Sequence, residues 1–179
     1  EPGSRVLSFG AGPTGLILAQ LLARHGACDL TVAAPTAFKL EHARAAGAQH
    51  TVQVDKANLA ATKRQLEEIC PGGFDVVIDA TGAVSVLDEA IGLTRSGGTI
   101  FVYGMTEENA TWTIPPYEIF RRELTIKGSF AQVYSFDRAL LMLRNGQVDP
   151  TGLITHRFSL DEYGAALEMS GRSECIKAV

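Results

Sequence analysis

Short apolar, β-branched runs alternate along this chain with longer segments in which apolar positions recur at helical spacing. The short runs are nearly continuous, which is typical of parallel strands buried on both faces. They predict strands at Val6–Phe9, Leu30–Ala33, His50–Gln53, Phe74–Asp79, Thr99–Tyr103 and Leu124–Ser129. The helical segments are Thr14–His25, Thr36–Ala46, Asn58–Ile69, Val84–Thr94, Ser135–Asn145 and Leu160–Met169. Such units, joined by right-handed crossovers, predict an α/β fold: a doubly wound parallel (Rossmann) sheet of six main strands with helices on both faces.

The segment Thr106–Phe120 interrupts this alternation and is predicted to be irregular. Within it, Thr111–Ile114 alternates polar and apolar residues like a short edge strand, and it carries the single tryptophan, Trp112. An unpaired strand edge is a template for pairing with another chain, and two-fold symmetry is the commonest way to close such a contact. We therefore expect a homodimer in which this segment pairs antiparallel with its counterpart.

Length, charge and cysteine content exclude several classes of protein. The chain has 179 residues, which suits one domain with a real core, and a net charge of -4, which gives no attraction to nucleic acid or anionic membranes. No apolar stretch is long enough to span a bilayer, and we expect no signal peptide. Cys28, Cys70 and Cys175 lie far apart and are expected to be free thiols. We expect a cytoplasmic protein with no nucleic-acid or membrane partner.

The turn after the first predicted strand carries Gly10, Gly12 and Gly15 at the spacing G-x-G-x-x-G, with Pro13 and Thr14 opening the next helix. In this pattern the first glycine allows a tight turn, the second lets the backbone approach a pyrophosphate, and the third lets the helix pack closely. The helix N-terminus then offers free N–H groups to the phosphates. Because a strand precedes the motif and a helix follows it, the sequence predicts dinucleotide binding.

The end of the second predicted strand indicates which dinucleotide is bound. NAD-binding domains usually carry a carboxylate about 20 residues beyond the motif, where it holds the adenosine ribose hydroxyls. This chain has Ala34 there, so nothing repels a 2′-phosphate. Thr36 and Lys39 follow, and their hydroxyl and ammonium groups suit a phosphate. The pattern favours NADP, and NAD stays open as the other cofactor.

Over almost its whole length the chain resembles the cofactor-binding domain of the zinc-dependent medium-chain alcohol and polyol dehydrogenases, the sorbitol and arabitol dehydrogenases in particular. The segments that carry the resemblance are, in order, FGAGPTGL, FDVVIDATG, GGTIFVYGM, FRRELTIKGSFA and SECIKAV. The resemblance implies a basic residue, Lys177, near the pyrophosphate. It also implies a nicotinamide side formed by Asp79, Thr81, Gly82, Tyr103, Gly104, Met105, Ser129, Phe130 and Ala131.

The family resemblance further implies an enzyme of two parts. Its members transfer hydride between an alcohol or ketone and nicotinamide, and a separate N-terminal domain bears the zinc ligands and most of the substrate pocket. We expect residues 1–179 to form the dinucleotide-binding domain alone, without that zinc domain, and to be inactive by themselves towards a small alcohol or polyol. No catalytic or metal-binding residue is assigned, because His25, His42, His50 and His156 lie in different elements with no cysteine at ligand spacing.

The sequence fits three other classes of protein less well. A stand-alone nucleotide-sensing module without catalysis would be expected to carry a DNA-binding or partner domain. A methyltransferase-like protein would need an acid near Ala34. A short-chain dehydrogenase would need Tyr-x-x-x-Lys, and this lysine follows none of Tyr103, Tyr117, Tyr134 and Tyr163.

Overall fold

The computed structural model describes residues 2–26, 29–55, 57–130 and 134–179. Six parallel strands form one sheet in the order β3-β2-β1-β4-β5-β6. The strands are β1 Arg5–Phe9, β2 Asp29–Ala34, β3 His50–Gln53, β4 Phe74–Asp79, β5 Thr94–Val102 and β6 Thr125–Gly128. The predicted doubly wound sheet is therefore confirmed, and every predicted strand is present.

Seven α-helices accompany this sheet in the described residues. They are α1 Pro13–His25, α2 Ala37–Ala45, α3 Leu59–Ile69, α4 Val84–Leu93, α5 Pro116–Arg122, α6 Phe136–Arg144 and α7 Tyr163–Ser170. A short 3₁₀ turn, Leu160–Glu162, precedes α7, so the predicted last helix is divided in two. None of the helices in the described ranges is both long and apolar enough to cross a bilayer.

The core consists of two apolar layers, one on each face of the sheet. On one face, Leu16 of α1 and Leu40 of α2 pack against Leu30 and Val32 of β2. On the other face, residues of α3 and α4 pack against β1, β4 and β5. Each buried side chain of this size contributes about 1.5–3 kcal/mol. Because neighbouring strand residues point to opposite faces, both layers draw on the same strands, and this accounts for their nearly continuous apolar runs.

The segment between β5 and β6 differs from the sequence prediction. Thr111–Ile114 is not a strand, because no other described segment pairs with its backbone. Trp112 instead packs against the core layer formed by α3 and α4. The helix α5 was not predicted, because Pro115 and Pro116 indicated only a break. Proline is well tolerated in the first turn of a helix, where the N–H has no partner in any case.

The strand order creates a crevice at the carboxyl ends of the strands. β1 lies between β2 and β4. Strands β2 and β3 follow on one side of β1, and β4 to β6 follow on the other. At the carboxyl edge, Phe9 of β1 lies beside Ala33 of β2 and Asp79 of β4. Ligands of doubly wound sheets bind outside such a switch point.

Candidate functional site

The glycine motif lies at this crevice, and Gly10 and Gly12 line it. Gly10 has a φ of +104°, and a Cβ there would lie 3.0 Å from the Ala80 carbonyl oxygen. A Cβ on Gly15 would overlap the Gly10 carbonyl, so this glycine lets α1 begin directly against the turn. Gly12 is different, because a Cβ there would meet no protein atom within 4 Å. Gly10 and Gly15 are needed for the fold, whereas Gly12 leaves space in which a ligand could lie.

A first cavity of about 530 Å³ opens beside the motif. Its wall includes Gly10 and Gly12 of the turn, Pro35 and Lys39 from the β2–α2 connection, and Thr81 after β4. The other side chains that line it are mainly apolar: Phe9, Ala11, Ala33, Val54, Leu59, Ala80, Ala83, Ser85 and Val86. This cavity, called the first lobe below, suits a flat apolar group next to a negatively charged one.

A second cavity of about 960 Å³ lies on the β5 and β6 side of the motif. The residues that line this second lobe are Thr14, Ala80, Thr81, Val102, Tyr103, Gly104, Met105, Thr106, Gly128, Ser129 and Phe130. Met105 and Phe130 are 90% and 91% exposed, so they form an apolar rim. Ala80 and Thr81 line both lobes, which makes one elongated cleft across the carboxyl edge.

The charge distribution favours an anion at the middle of this cleft. Gly12 is the N-cap of α1 and makes no side-chain cap, and the first turn of the helix holds no acidic residue. The first N–H groups of the helix thus keep their capacity to donate. Within the described residues, neither lobe is lined by an acidic side chain, and Lys39 lines the first lobe.

The end of β2 carries small, uncharged residues. Ala34 is 1% exposed and is the last residue of the strand, so a methyl group and no charge stands at the end of β2. The Thr36 hydroxyl accepts a hydrogen bond from the Lys39 backbone N–H at 3.3 Å and caps α2. Since that bond uses a lone pair of the Thr36 hydroxyl, its proton stays free to donate.

A buried carboxylate holds the loop between β4 and α4. Asp79 has no exposure to solvent, and its Oδ1 accepts bonds from the Thr81 N–H at 2.8 Å and the Thr81 hydroxyl at 2.6 Å. The Gly82 N–H donates to the same oxygen at 3.1 Å. The Asp79 carbonyl accepts bonds from the N–H groups of Tyr103 at 3.0 Å and Gly104 at 2.7 Å. This single residue links the ends of β4 and β5.

Some of the sequence-predicted residues line the two lobes, whereas Gly15, Ala34 and Thr36 are not among the described residues that line them. Gly10, Gly12 and Lys39 line the first lobe, Thr81 lines both, and most of the predicted nicotinamide side lines the second. Pro13 is the first residue of α1, and Gly82 packs against the Met105 carbonyl. Lys177 is exposed in the closing segment, and its carbonyl accepts a bond from the Thr155 N–H at 3.0 Å. It is not among the described residues that line the two lobes. Ala131 lies outside the described residues.

The sequence analysis missed the apolar wall of the first lobe. Val54 follows β3, Leu59 begins α3, and Ser85 and Val86 lie in the first turn of α4. All four lie at the carboxyl edge of the sheet. The predicted doubly wound sheet could have suggested them, because in such a fold the loops that follow the strands on either side of the switch point converge on it.

The described residues offer no site for a metal ion. No three His, Cys, Asp or Glu side chains come together in the ranges that the structure describes. His50 lies 3.4 Å from the Asp29 carboxylate, and the His156 Nδ1 lies 2.9 Å from the Thr155 hydroxyl. A catalytic zinc ion, which takes three protein ligands, does not fit this part of the chain.

The chain is similar in sequence to known dehydrogenases. The model of the zinc-binding dehydrogenase family matches residues 13–145. D-arabinitol dehydrogenase 1 of Uromyces fabae is 41% identical over 178 residues, which are 99% of this chain and 51% of that protein. Sorbitol dehydrogenase of Mus musculus is 31% identical over 177 residues, 99% of this chain and 49% of that protein. The chain thus spans about half the length of the curated relatives it matches.

Solved structures share the same architecture. A zinc-binding dehydrogenase from Sinorhizobium meliloti, bound to NADP, matches 99% of this chain and 52% of its own with a TM-score of 0.89 and 28% identity. An alcohol dehydrogenase from Escherichia coli, complexed with NADH, matches 98% of this chain and 51% of its own with a TM-score of 0.87 and 25% identity. The two structures hold different nicotinamide dinucleotides.

Proposed function

This chain belongs to the zinc-binding dehydrogenase family, and we propose that it is the dinucleotide-binding domain of an NAD(P)-dependent alcohol or polyol dehydrogenase. Residues 1–179 would form this one domain, and the zinc ligands would lie in another part of the enzyme. The observation that carries the proposal is the two-lobed cleft with Gly12 and the uncapped N-terminus of α1 at its centre. A dinucleotide has two nucleoside ends joined by a pyrophosphate, and the cleft has the matching form.

In this proposal each end of the cofactor takes one lobe. The pyrophosphate lies over Gly12 and the first N–H groups of α1, where the helix dipole favours negative charge. The adenosine end enters the first lobe, between Pro35, Val54 and Val86. The nicotinamide end enters the second lobe, where Tyr103 to Met105, Ser129 and Phe130 surround it. For Ala131 and Lys177 the proposed contact rests on the family resemblance alone.

The chain's own residues would bind and orient the cofactor. When bound, the nicotinamide supplies the hydride acceptor or donor, and the second lobe determines which of its faces is open. The exposed side chains of Met105 and Phe130 would border the substrate. Since the curated relatives act on arabinitol and sorbitol, we propose a small polyol or alcohol as the substrate of the whole enzyme. The chain alone should be inactive, because its described part holds no zinc site.

We propose that NADP(H) is preferred over NAD(H). The β2 end presents no carboxylate to repel a 2′-phosphate, Lys39 lines the first lobe, and the Thr36 hydroxyl keeps a proton to donate. One or two charge-assisted hydrogen bonds contribute about 1–3 kcal/mol, which is roughly a fivefold to 150-fold difference in affinity.

Calorimetric titration of the chain with NADPH and with NADH tests this preference. NADPH is expected to bind more tightly, and Ala34→Asp should shift the preference towards NADH, because a carboxylate repels the phosphate and accepts bonds from ribose hydroxyls. Ala34→Ser is the matched control, since it adds a polar group of similar size without charge. Equal affinities for the two cofactors, or tighter NADH binding, would contradict the proposed preference.

We also propose a cytoplasmic homodimer. Cys70 and Cys175 are free and buried, and burial raises the pKa of the Cys70 thiol, as suits unreactive thiols in a reducing compartment. β6 forms one edge of the sheet, and all its residues are exposed. The segment Thr111–Ile114, which precedes α5 in the chain, has no ladder partner among the described strands. Both features support a contact between two copies along this edge.

A further inference from the structure

Asp79 is the one carboxylate in the described residues that has no exposure to solvent, and it immediately precedes Ala80 and Thr81, which line the cleft. Burying a charge is costly unless hydrogen bonds compensate for it. Here the compensation comes from one short loop, because the side chain of Asp79 receives its bonds from Thr81 and Gly82. The carboxylate therefore fixes the position of the loop that follows β4 and lines both lobes.

The Thr81 hydroxyl is oriented by these bonds. A hydroxyl has one proton to donate and two lone pairs to accept with. The proton of Thr81 goes to Asp79 Oδ1 at 2.6 Å. One lone pair accepts the N–H of Ala83 at 3.1 Å. Thr81 is itself exposed at the cleft, so one lone pair remains for a ligand and no proton does.

The loop has little freedom to change this arrangement. A Cβ on Gly82 would overlap the Met105 carbonyl, and a Cβ on Gly104 would overlap the Gly82 nitrogen. The backbones after β4 and β5 are thus in direct contact, and the Asp79 carbonyl binds the N–H groups of Tyr103 and Gly104. Thr81 is held against the residues that line the second lobe.

We infer that Asp79 is a positioning residue that fixes the Thr81 hydroxyl as a hydrogen-bond acceptor for a donor on the nicotinamide half of the cofactor. The donors of that half are the ribose hydroxyls and the carboxamide NH₂ group. A ligand with only acceptors at this point would gain nothing from Thr81. This inference rests on the proposed cofactor function and adds the direction of one hydrogen bond to it.

The test compares two ligands on the same variants. NADPH has both halves, whereas adenosine 2′,5′-bisphosphate has only the adenosine half. Thr81→Val keeps the shape and removes the acceptor, so it should weaken NADPH binding about tenfold, the equivalent of ~1.4 kcal/mol. Binding of the bisphosphate should stay unchanged. Thr81→Ser retains the hydroxyl and should restore NADPH binding to within about twofold.

Asp79→Asn removes the charge that holds the Thr81 proton, and it should also reduce NADPH affinity while sparing the bisphosphate. A purely structural role would instead weaken both ligands together, and that result would overturn the inference. Unchanged NADPH binding by Thr81→Val would overturn it as well, even if Asp79→Asn does not fold. Wild-type protein that binds neither ligand would refute the proposed function itself, and this outcome is separate from the behaviour of the variants.

Discussion

At the scale of single residues, the three motif glycines serve different purposes although they are chemically identical. Gly15 is needed because a side chain would collide with the Gly10 backbone, and Gly10 needs a positive φ. Gly12 has an ordinary φ of -79° and open space beside it. Packing within the protein therefore explains Gly10 and Gly15, whereas the space beside Gly12 fits the proposed pyrophosphate.

This difference predicts opposite effects for two substitutions. Gly12→Val should leave the free energy of unfolding within about 0.5 kcal/mol of wild type and weaken NADPH binding at least tenfold, because the new side chain occupies the pyrophosphate position. Gly15→Ala should cost about 1–3 kcal/mol of stability, because its methyl group overlaps backbone atoms. Urea unfolding and calorimetric titration of both variants measure the two effects. A Gly12→Val protein that binds NADPH normally would place the pyrophosphate elsewhere.

At the scale of elements, side chains tie together segments that are far apart in the chain. At the amino ends of the strands, Asp75 of β4 accepts a bond from the Arg5 N–H of β1 at 2.7 Å and another from the Arg95 guanidinium of β5. On α5, the Arg122 guanidinium donates to the Ile91 carbonyl of α4 at 2.8 Å. The arginine holds this unpredicted helix against the end of α4.

The Asp75 link predicts a dependence of stability on pH. Burial by itself would raise the pKa of Asp75, but the Arg5 N–H and the Arg95 guanidinium outweigh burial and lower it. The stabilisation is thus fully present above the unfolded-state pKa of about 3.9 and is lost as the pH falls through the lower folded-state pKa. Asp75→Asn should cost about 1–3 kcal/mol at pH 7, and the difference should shrink below about pH 4.

Chemical denaturation at several pH values, with Asp75→Asn and wild type side by side, measures this effect. Asp88→Asn on the exposed side of α4 is the matched control and should change stability by less than about 0.5 kcal/mol. A loss of unfolding free energy for Asp75→Asn that stays constant from pH 7 to pH 3 would contradict this prediction. It would show that the shape of the Asp75 side chain, and not its charge, stabilises the contact between β1, β4 and β5.

At the scale of the whole molecule, the sheet is closed by helices on its faces and open at the β6 edge. Ile126 of β6 is 38% exposed, and Thr111 and Thr113 are exposed nearby in the chain. Trp112 is partly buried against the core, so its replacement would disturb folding as well as assembly. A test of the dimer must therefore use the exposed residues.

We predict that the chain forms dimers that Thr113→Pro converts to monomers, because proline removes a backbone donor from the pairing segment. Light scattering and sedimentation measure the mass. Ile126→Lys reports on β6, and Ile154→Lys is its matched control, since both isoleucines are 38% exposed. Dimers that survive Thr113→Pro and dissociate with Ile126→Lys would move the interface to β6. A wild-type chain that is monomeric at all concentrations would contradict the dimer.

The amino-acid sequence by itself determined the local features of this protein. The continuous apolar runs predict five of the six strands to within one residue at each end, because local burial on both faces leaves a direct pattern. The start of β5 was wrong: the strand begins at Thr94 and not at Thr99, since the irregular pairing with β4 carries it through Gly97 and Gly98. The G-x-G-x-x-G spacing and the residue at position 34 are also local. The glycine spacing suffices to predict dinucleotide binding, and the residue at position 34 suggests that the dinucleotide carries a 2′-phosphate.

The tertiary structure alone decided how distant segments meet. The apolar wall of the first lobe combines Val54 and Leu59 with Ser85 and Val86, which belong to separate strand–helix connections. The bonds that orient Thr81, and the contact between Gly82 and Gly104, require β4 and β5 to be neighbours in register. The burial of Trp112 depends on the core of α3 and α4. Each of these contacts joins residues whose proximity is set by sheet order and packing, and no local pattern encodes that proximity.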